Sequence, residues 1–244
     1  MTEPLPAVDK RVIVCADDFA INTSTSLGIA KLVRMGRLSA TSAMVLSPRW
    51  ASDATLLQDL RDQVDVGLHL DWTSDFAVAA GHGMRLGRAM RQALLGGFDS
   101  EQASTVVEHQ LDLFEQHWRA PPDFVDGHQH VQQFAGIREA LIAALVRRNG
   151  KSPDRPYLRI SRAPPGMADL KARVITWMGA KTLEVAAEAA DLRTANGLLG
   201  VYDFGGGQHR YAELMRRWLA RATSGAILMC HPAQAAEPDD AIGI

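Results

Sequence analysis

The sequence predicts an α/β fold built on a parallel sheet, on three observations. Short β-branched runs alternate with longer stretches of helical period along most of the chain. Six or seven such runs separated by helices call for parallel strands joined by right-handed crossovers. Acidic and imidazole side chains fall at the ends of these runs rather than inside them.

The first strand is "RVIVCA" (11–16). A helical pattern follows through Leu27, Ile29, Ala30, Leu32 and Val33, with Asn22 and Ser24 as candidate caps. "SAMVL" (42–46) is the second strand and leads into a helix from about Ala51 to Leu60. "VDVGLHL" (64–70) is the third, and after it comes an irregular insert over 71–100 with glycines at 81, 83 and 87. Inserts of that length often serve as lids or substrate loops. Val106, Val107, Leu111, Phe114 and Trp118 mark a helix ahead of the fourth strand, "DFVDG" (123–127). "IREALIAALVRR" (137–148) is a helix ahead of "YLRI" (157–160). Residues 167–192 read as largely helical, "LLGVYDF" (198–204) as a strand, "RYAELMRRWLARA" (210–222) as a helix and "AILMC" (226–230) as the closing strand. No shift in composition marks a boundary, so 1–244 reads as one domain.

Composition narrows the classes of function. Of 244 residues, 47% are hydrophobic and 22% charged, the balance of a soluble globular protein with a substantial core. A net charge of −2 without a long basic run speaks against a nucleic-acid surface. No apolar run reaches the ~18 residues of a membrane span. The opening "MTEPLPAVDK" lacks the apolar core of a secretory signal. Cys15 and Cys230 sit in apolar runs and read as reduced, buried thiols, so a cytoplasmic location is expected. Oligomeric state is left open, homo-oligomer included.

Asp17 and Asp18 follow the first strand, His69 ends the third, Asp126, His128 and His130 end the fourth, Arg159 is late in the fifth, and His231 follows the last. Strand C-termini of a parallel α/β barrel emerge on one face, where active sites are built. Residues scattered along the chain therefore converge. Aspartate with two imidazoles is a mixed O/N set for one divalent ion, and ligand chemistry alone admits zinc, manganese or iron as readily as magnesium. A second carboxylate can then deprotonate water and a histidine can protonate a leaving group. Both members of "ADDF" can point inward only if the chain turns there, since successive strand residues face opposite ways.

Each feature also has a plainer reading. "DD" serves equally as a helix cap, "GLHL" as a buried hydrogen-bonded histidine, and "CHP" as a strand ended by proline. If His128 and His130 share a face as alternate strand residues, only one need bind metal, leaving the other for substrate. Asp126 can orient a ligand histidine or start the turn before Gly127. Arg159 can meet a sugar hydroxyl, a phosphate or a surface carboxylate. Trp72 can line an acetyl or sugar pocket or pack beneath the insert. Tyr202 and Phe204 suit a sugar platform or the core. His82, His109, His117 and His209 have no partner pattern and read as surface residues.

Four blocks, "VIVCADDFAINTSTSLGIAKLVRMGRLSATSAMV" (12–45), "VGLHLDWT" (66–73), "FVDGHQHV" (124–131) and "ILMCHPA" (227–233), resemble in order and spacing those of the YdjC-like carbohydrate deacetylases, which include the chitooligosaccharide deacetylases. The resemblance implies a distorted (β/α) TIM-like barrel of about seven parallel strands. It implies hydrolytic removal of N-acetyl groups from amino sugars or short chitobiose-like oligosaccharides, and one divalent ion, usually magnesium. By position, Asp17 becomes the general base, Asp18, His69 and His128 the metal ligands, and His231 the catalytic acid. His130, Asp126, Arg159 and Trp72 remain as substrate-binding or supporting residues. The partner so implied is a small N-acetylated carbohydrate, with chitobiose, its phosphorylated form and an acetylated glycolipid head group all open. Two positions depart from the family, Ala20 and Ala233, where glycine is usual, and the tail "PDDAIGI" stops where relatives continue into a last helix. Alanine at 20 restricts the turn after the acidic pair if that turn needs positive φ. Two other classes fit the ligand pattern: a metal-dependent sugar isomerase or aldolase, for which no strand end offers the usual glutamate or lysine, and a non-catalytic sugar- or metal-binding protein.

Overall fold

The computed structural model describes residues 10–150, 152, 155–164 and 170–235. The opening stretch 1–9, the start of the 167–192 helical expectation, and the tail 236–244 lie outside them.

Seven parallel strands form one sheet in the order β5-β4-β3-β2-β1-β7-β6. In chain order these are β1 (Ile13–Phe19), β2 (Ala40–Ala43), β3 (Asp65–Leu70), β4 (Phe124–Gly127), β5 (Tyr157–Leu158), β6 (Leu198–Leu199) and β7 (Ile227–Cys230). The helices are α1 (Thr23–Arg34), α2 (Trp50–Asp53), α3 (Asp75–Ala79), α4 (Leu86–Leu94), α5 (Ser100–Trp118), α6 (Ile137–Asn149), α7 (Leu170–Trp177), α8 (Ala180–Ala189) and α9 (Gly207–Arg221), with 3-10 turns over Ala54–Leu60 and His128–Gln133. The sheet curls until its edges approach. Leu158 bridges Thr194, and the Leu198 N–H donates to the Arg162 carbonyl at 2.9 Å. The curled α/β sheet is the predicted class.

Core packing explains the curl. Sheet residues such as Ala16, Val66, Leu68 and Val125 are fully buried under the helices. Trp50 stacks on Phe114 at 5.4 Å, meets Phe19 edge-on, and donates its indole N–H to the Leu113 carbonyl at 3.0 Å. One ring thus fastens α2 to α5 and β1. Gly67 allows β4 close approach, since a Cβ there would lie 2.6 Å from the Phe124 ring.

Several elements differ from expectation. The second strand comes two residues early, because Thr41 and Ser42 pair in the ladder and the chain turns at Met44. The 71–100 insert holds α3 and α4 rather than irregular chain, α3 being capped by Ser74, whose side chain accepts from the Phe76 and Ala77 N–H groups. Gly179 splits the long helical stretch into α7 and α8. β6 is only two residues long, and Tyr202 and Phe204 leave the sheet for a cavity wall. At α1, Asn22 is the cap, accepting from the Thr25 N–H at 2.8 Å, whereas Ser24 donates to the Ala235 carbonyl. No helix among the described residues is long and apolar enough to cross a membrane.

Candidate metal centre

How adjacent aspartates both enter one site is settled by the backbone of β1. Ala16 pairs with Thr41 and Phe19 with Ala43, so β1 spends one more residue than β2 between these pairs. The extra residue is a β-bulge, and Asp18 sits in it at φ 66°. Aspartate tolerates that region better than most residues. Asp17 and Asp18 consequently both border the cavity.

Ala20 follows at φ 72°, where an L side chain is strained. Its peptide is held on both sides. The Ala20 N–H donates to Ser26 Oγ at 3.1 Å and its carbonyl accepts from Ser47 Oγ at 2.7 Å. Ser26 in turn donates to buried Asp53, which Arg49 neutralises at 2.9 Å. The hydrogen bonds fix a turn that alanine would not choose.

Asp18, His69 and His128 offer ligand atoms that all lie within 4.8 Å of one another. Asp18 Oδ1 is 3.3 Å from His69 Nε2 and 3.1 Å from His128 Nδ1. For metal–ligand bonds near 2.1 Å, adjacent donors of a tetrahedral or octahedral shell stand ~3.0–3.4 Å apart, so this spacing suits one ion. His69 is oriented from behind. Its Nδ1 faces Asp126 Oδ1 at 2.6 Å, so Asp126 would keep the proton on that nitrogen while a bound ion takes the place of the one on Nε2. Ser42, a residue that the sequence reading passed over, lies 3.1 Å from the same Nδ1 and 3.4 Å from Asp17.

Arg159 explains the floor of the site. It is fully buried and forks onto both oxygens of Asp17 at 2.7 and 2.8 Å, while Nη1 also meets Asp126 at 2.8 Å. Its expected role on a sugar or phosphate is therefore replaced by an internal ion pair beneath the cavity. Burial alone would raise the Asp17 carboxyl, but Arg159, with His69 behind it, outweighs burial and holds it down at about 2. Burial likewise opposes charge on His69, yet Asp126 and Asp18 push that imidazole up to about 10. Of the three buried carboxylates Asp17, Asp18 and Asp126, Arg159 pairs with the first and the last, and Asp18 meets imidazoles. A divalent cation would replace the His69 proton among these carboxylates.

His128 and His130 do not share a strand face. β4 ends at Gly127, and the chain folds into a tight turn in which Gln129 and His130 have φ 52° and 65°. Gly127 is required for that fold-back, because a Cβ would come 2.7 Å from Gln132 Oε1 and 2.8 Å from the Gln132 backbone N. His128 reaches Asp18 from the turn, and His130 borders the cavity by another route. Gln132 Nε2 donates to the Arg159 carbonyl and to Ser161 Oγ, at 3.0 and 3.1 Å, and Ser161 Oγ lies 3.0 Å from His130 Nδ1. Where the Ser161 hydroxyl donates to Nδ1, His130 carries its own proton on Nε2. Burial, aided by Arg159, pushes His130 down to about 3.

His231 Nε2 is 3.9 Å from Asp18 Oδ2, and the Phe204 ring packs on the imidazole at 5.3 Å. Burial pushes His231 below the ordinary histidine value. Trp72 is elsewhere: it is buried against His82 and Phe98 and does not border the cavity. His82 is accordingly half-buried on Trp72, not a surface residue.

The cavity above these groups measures about 990 Å³. Its polar end is the centre just described. Its far walls are apolar: Leu86 and Met90 from α4, Val174 and Ile175 from α7, and Phe134 and Met178 between them. The sequence reading missed these walls because both helices fall in stretches without reactive side chains.

A chitooligosaccharide deacetylase of Klebsiella pneumoniae subsp. pneumoniae is 24% identical, covering 93% of this chain and 82% of the relative. A human carbohydrate deacetylase is 26% identical, covering 93% and 76%. A solved structure of a putative cellobiose-phosphate cleavage protein from Enterococcus faecalis V583 superposes with a TM-score of 0.66 at 18% identity, over 93% of this chain and 82% of that one, a likeness of fold. The family model described as YdjC-like protein matches residues 11–243, a span that takes in every strand of the sheet and each side chain of the centre; the chain belongs to the YdjC-like proteins.

Proposed function

We propose that this chain hydrolyses the acetamide of an N-acetylated amino sugar, releasing acetate. The observation that carries the reading is the convergence of Asp18, His69 and His128, with His69 oriented by Asp126 and an ionised Asp17 beside them. The names of the relatives, carbohydrate and chitooligosaccharide deacetylases, support the same reaction class. Asp18, His69 and His128 would hold a divalent ion, which when bound supplies Lewis acidity to the acetyl carbonyl and to the attacking water.

The chain's own groups divide the remaining work. Asp17, held by Arg159, is ionised at neutral pH and accepts a proton as water attacks. His130 presents an N–H toward the cavity, a donor for the carbonyl oxygen or a neighbouring hydroxyl. His231 passes a proton to the departing amine. Because burial keeps His231 neutral at rest, its acid form arises within the cycle, from the proton that Asp17 has taken. Phe204 packs on His231 and Tyr202 on Phe204, and the two give the sugar ring an aromatic wall.

One observation refines the substrate. A free disaccharide would leave the α4 and α7 walls of the cavity facing water, whereas an acetylated glycolipid head group would cover them. We therefore favour an amino sugar carrying an apolar aglycone. Each buried CH₂ contributes about 0.8 kcal/mol, about fourfold in kcat/KM.

The test measures acetate release from diacetylchitobiose and from alkyl N-acetylglucosaminides of increasing chain length, with metal content determined in parallel. Asp17→Asn is expected to lower turnover by roughly two to four orders of magnitude while metal content holds. Near-normal turnover in that variant removes Asp17 from the reaction. Ketose formation in place of acetate would assign the isomerase class, and indifference to chain length would return the substrate to a free sugar.

A further inference from the structure

The apolar walls of the cavity do not stop at its mouth. On α4, Leu86 and Met90 border the cavity, and Leu94 continues the same stripe one turn on, with Leu95 beside it. On α7 the stripe is Leu170, Val174 and Trp177. Leu95 is 79% exposed, Leu170 77% and Trp177 70%, values at which large apolar side chains call for an explanation.

The charged side chains of these two helices carry one sign. Arg85, Arg88, Arg91 and Arg173 are exposed on the same two helices. Residues 76–98 and 170–183 contain no Asp or Glu, in a chain whose net charge is −2. Among the described residues no carboxylate pairs with any of the four. Lys171 is committed elsewhere, donating to the Tyr202 carbonyl.

We infer that the exposed faces of α4 and α7 form an interfacial docking surface for a lipid bilayer carrying anionic headgroups, with the cavity mouth turned toward the membrane. Leucine and tryptophan tips enter the headgroup boundary, and the arginines, with apolar stems and charged ends, meet the phosphates. A second copy of the chain is a poorer occupant, since a two-fold contact of this face with itself would bring two basic patches together. Nucleic acid would satisfy the arginines and leave the leucines wet. The inference rests on the surface and stands apart from the reaction. If the glycolipid reading holds, docking also brings the substrate to the mouth.

The test is vesicle co-flotation of the full chain. Phosphatidylcholine vesicles with and without phosphatidylglycerol serve as probes, at low and high salt. Binding is expected on the anionic vesicles and not on the zwitterionic ones, and it should weaken as salt screens the arginines. Near an anionic surface each arginine is worth about fivefold in partitioning, so Arg88→Ala with Arg91→Ala should lower binding about 25-fold. Leu95→Glu with Trp177→Glu should lower it by at least about tenfold. Neither pair borders the cavity, so hydrolysis of a soluble N-acetyl amino sugar should persist in both and show that they fold. The inference is overturned if the wild type ignores anionic vesicles, if either double variant binds them like the wild type, or if ultracentrifugation shows a dimer that Trp177→Glu dissolves. Vesicle binding without any deacetylation would leave the docking surface standing and remove the deacetylase reading alone.

Discussion

Arg159→Met isolates the electrostatic floor of the site. The guanidinium is fully buried and holds Asp17 through two hydrogen bonds and Asp126 through a 2.8 Å ion pair. Methionine fills similar volume and leaves two buried carboxylates without their counter-charge. Breaking a buried pair from one side costs about 3–5 kcal/mol. At ~2–4 °C per kcal/mol for a chain of this size, the metal-free melting temperature should fall by roughly 10 °C. The lowered Asp17 carboxyl points to a similar size. Its carboxyl sits at about 2, and against an ordinary aspartate near 3.9, at ~1.4 kcal/mol per pH unit, the folded protein gains about 2–3 kcal/mol from it. The sign follows from a folded value lying below the unfolded one. The contribution is complete above pH ~4 and is lost as pH falls through about 2. Without Arg159, burial pushes the carboxyl up, so this acid-sensitive contribution should shrink, and it reverses sign once the folded value passes the unfolded one. Scanning calorimetry of metal-free wild type, Arg159→Met, Asp17→Asn and the double variant reads the coupling. The double variant should recover at least about 1 kcal/mol relative to additivity. Additive losses, or an Arg159→Met protein within about 1 kcal/mol of wild type, would refute the reasoning.

Asp126→Asn removes the acceptor that fixes the His69 ring, and calorimetric titration should show metal affinity lowered about 10- to 100-fold. His128→Ala deletes a ligand outright and should abolish tight binding in the same titration. Gly127→Ala sets a methyl against Gln132, and its melting temperature should drop by at least about 2 kcal/mol equivalent, with metal binding impaired because the His128 turn moves. Ala20→Gly relieves ~1–2 kcal/mol of positive-φ strain, loses a buried methyl worth about 0.8, and gains ~0.5–1 of chain entropy to be lost on folding. These terms nearly cancel, so its melting temperature should stay within a few degrees of wild type; a large rise would mean that the turn is more strained than its hydrogen bonds indicate.

The sheet was legible because most of its strands lie in short apolar runs between helical stretches, and because Asp17, His69, Asp126 and His231 sit at the run ends where a barrel gathers its reactive groups. Less legible was anything set by local backbone twist. No glycine announces the bulge at Asp18, so the sequence could say only that both carboxylates need a turn. Alternation failed at His130 because Gly127 ends the strand one residue too soon for it to apply. Arg159 looked like a surface or substrate cation, since one arginine in "YLRI" carries no mark of the carboxylates waiting on other strands. Trp72 was drawn toward the site by nearness in sequence to His69, but its ring turns to Phe98 in the core. The walls on α4 and α7 were invisible for a different reason: an apolar helix facing a cavity and one facing the core have the same periodicity.

The imidazoles and carboxylates come from strand tips and the turns after them, whereas the distal walls come from two helices that contribute none. Appetite and reaction are therefore carried by separate parts of the molecule. Leu86, Met90, Val174 or Ile175 can be exchanged for bulkier or more polar side chains without disturbing Asp18, His69 or Asp126. A lineage keeping the sheet and varying these helices would inherit one hydrolytic engine and fit it to cargoes of different girth.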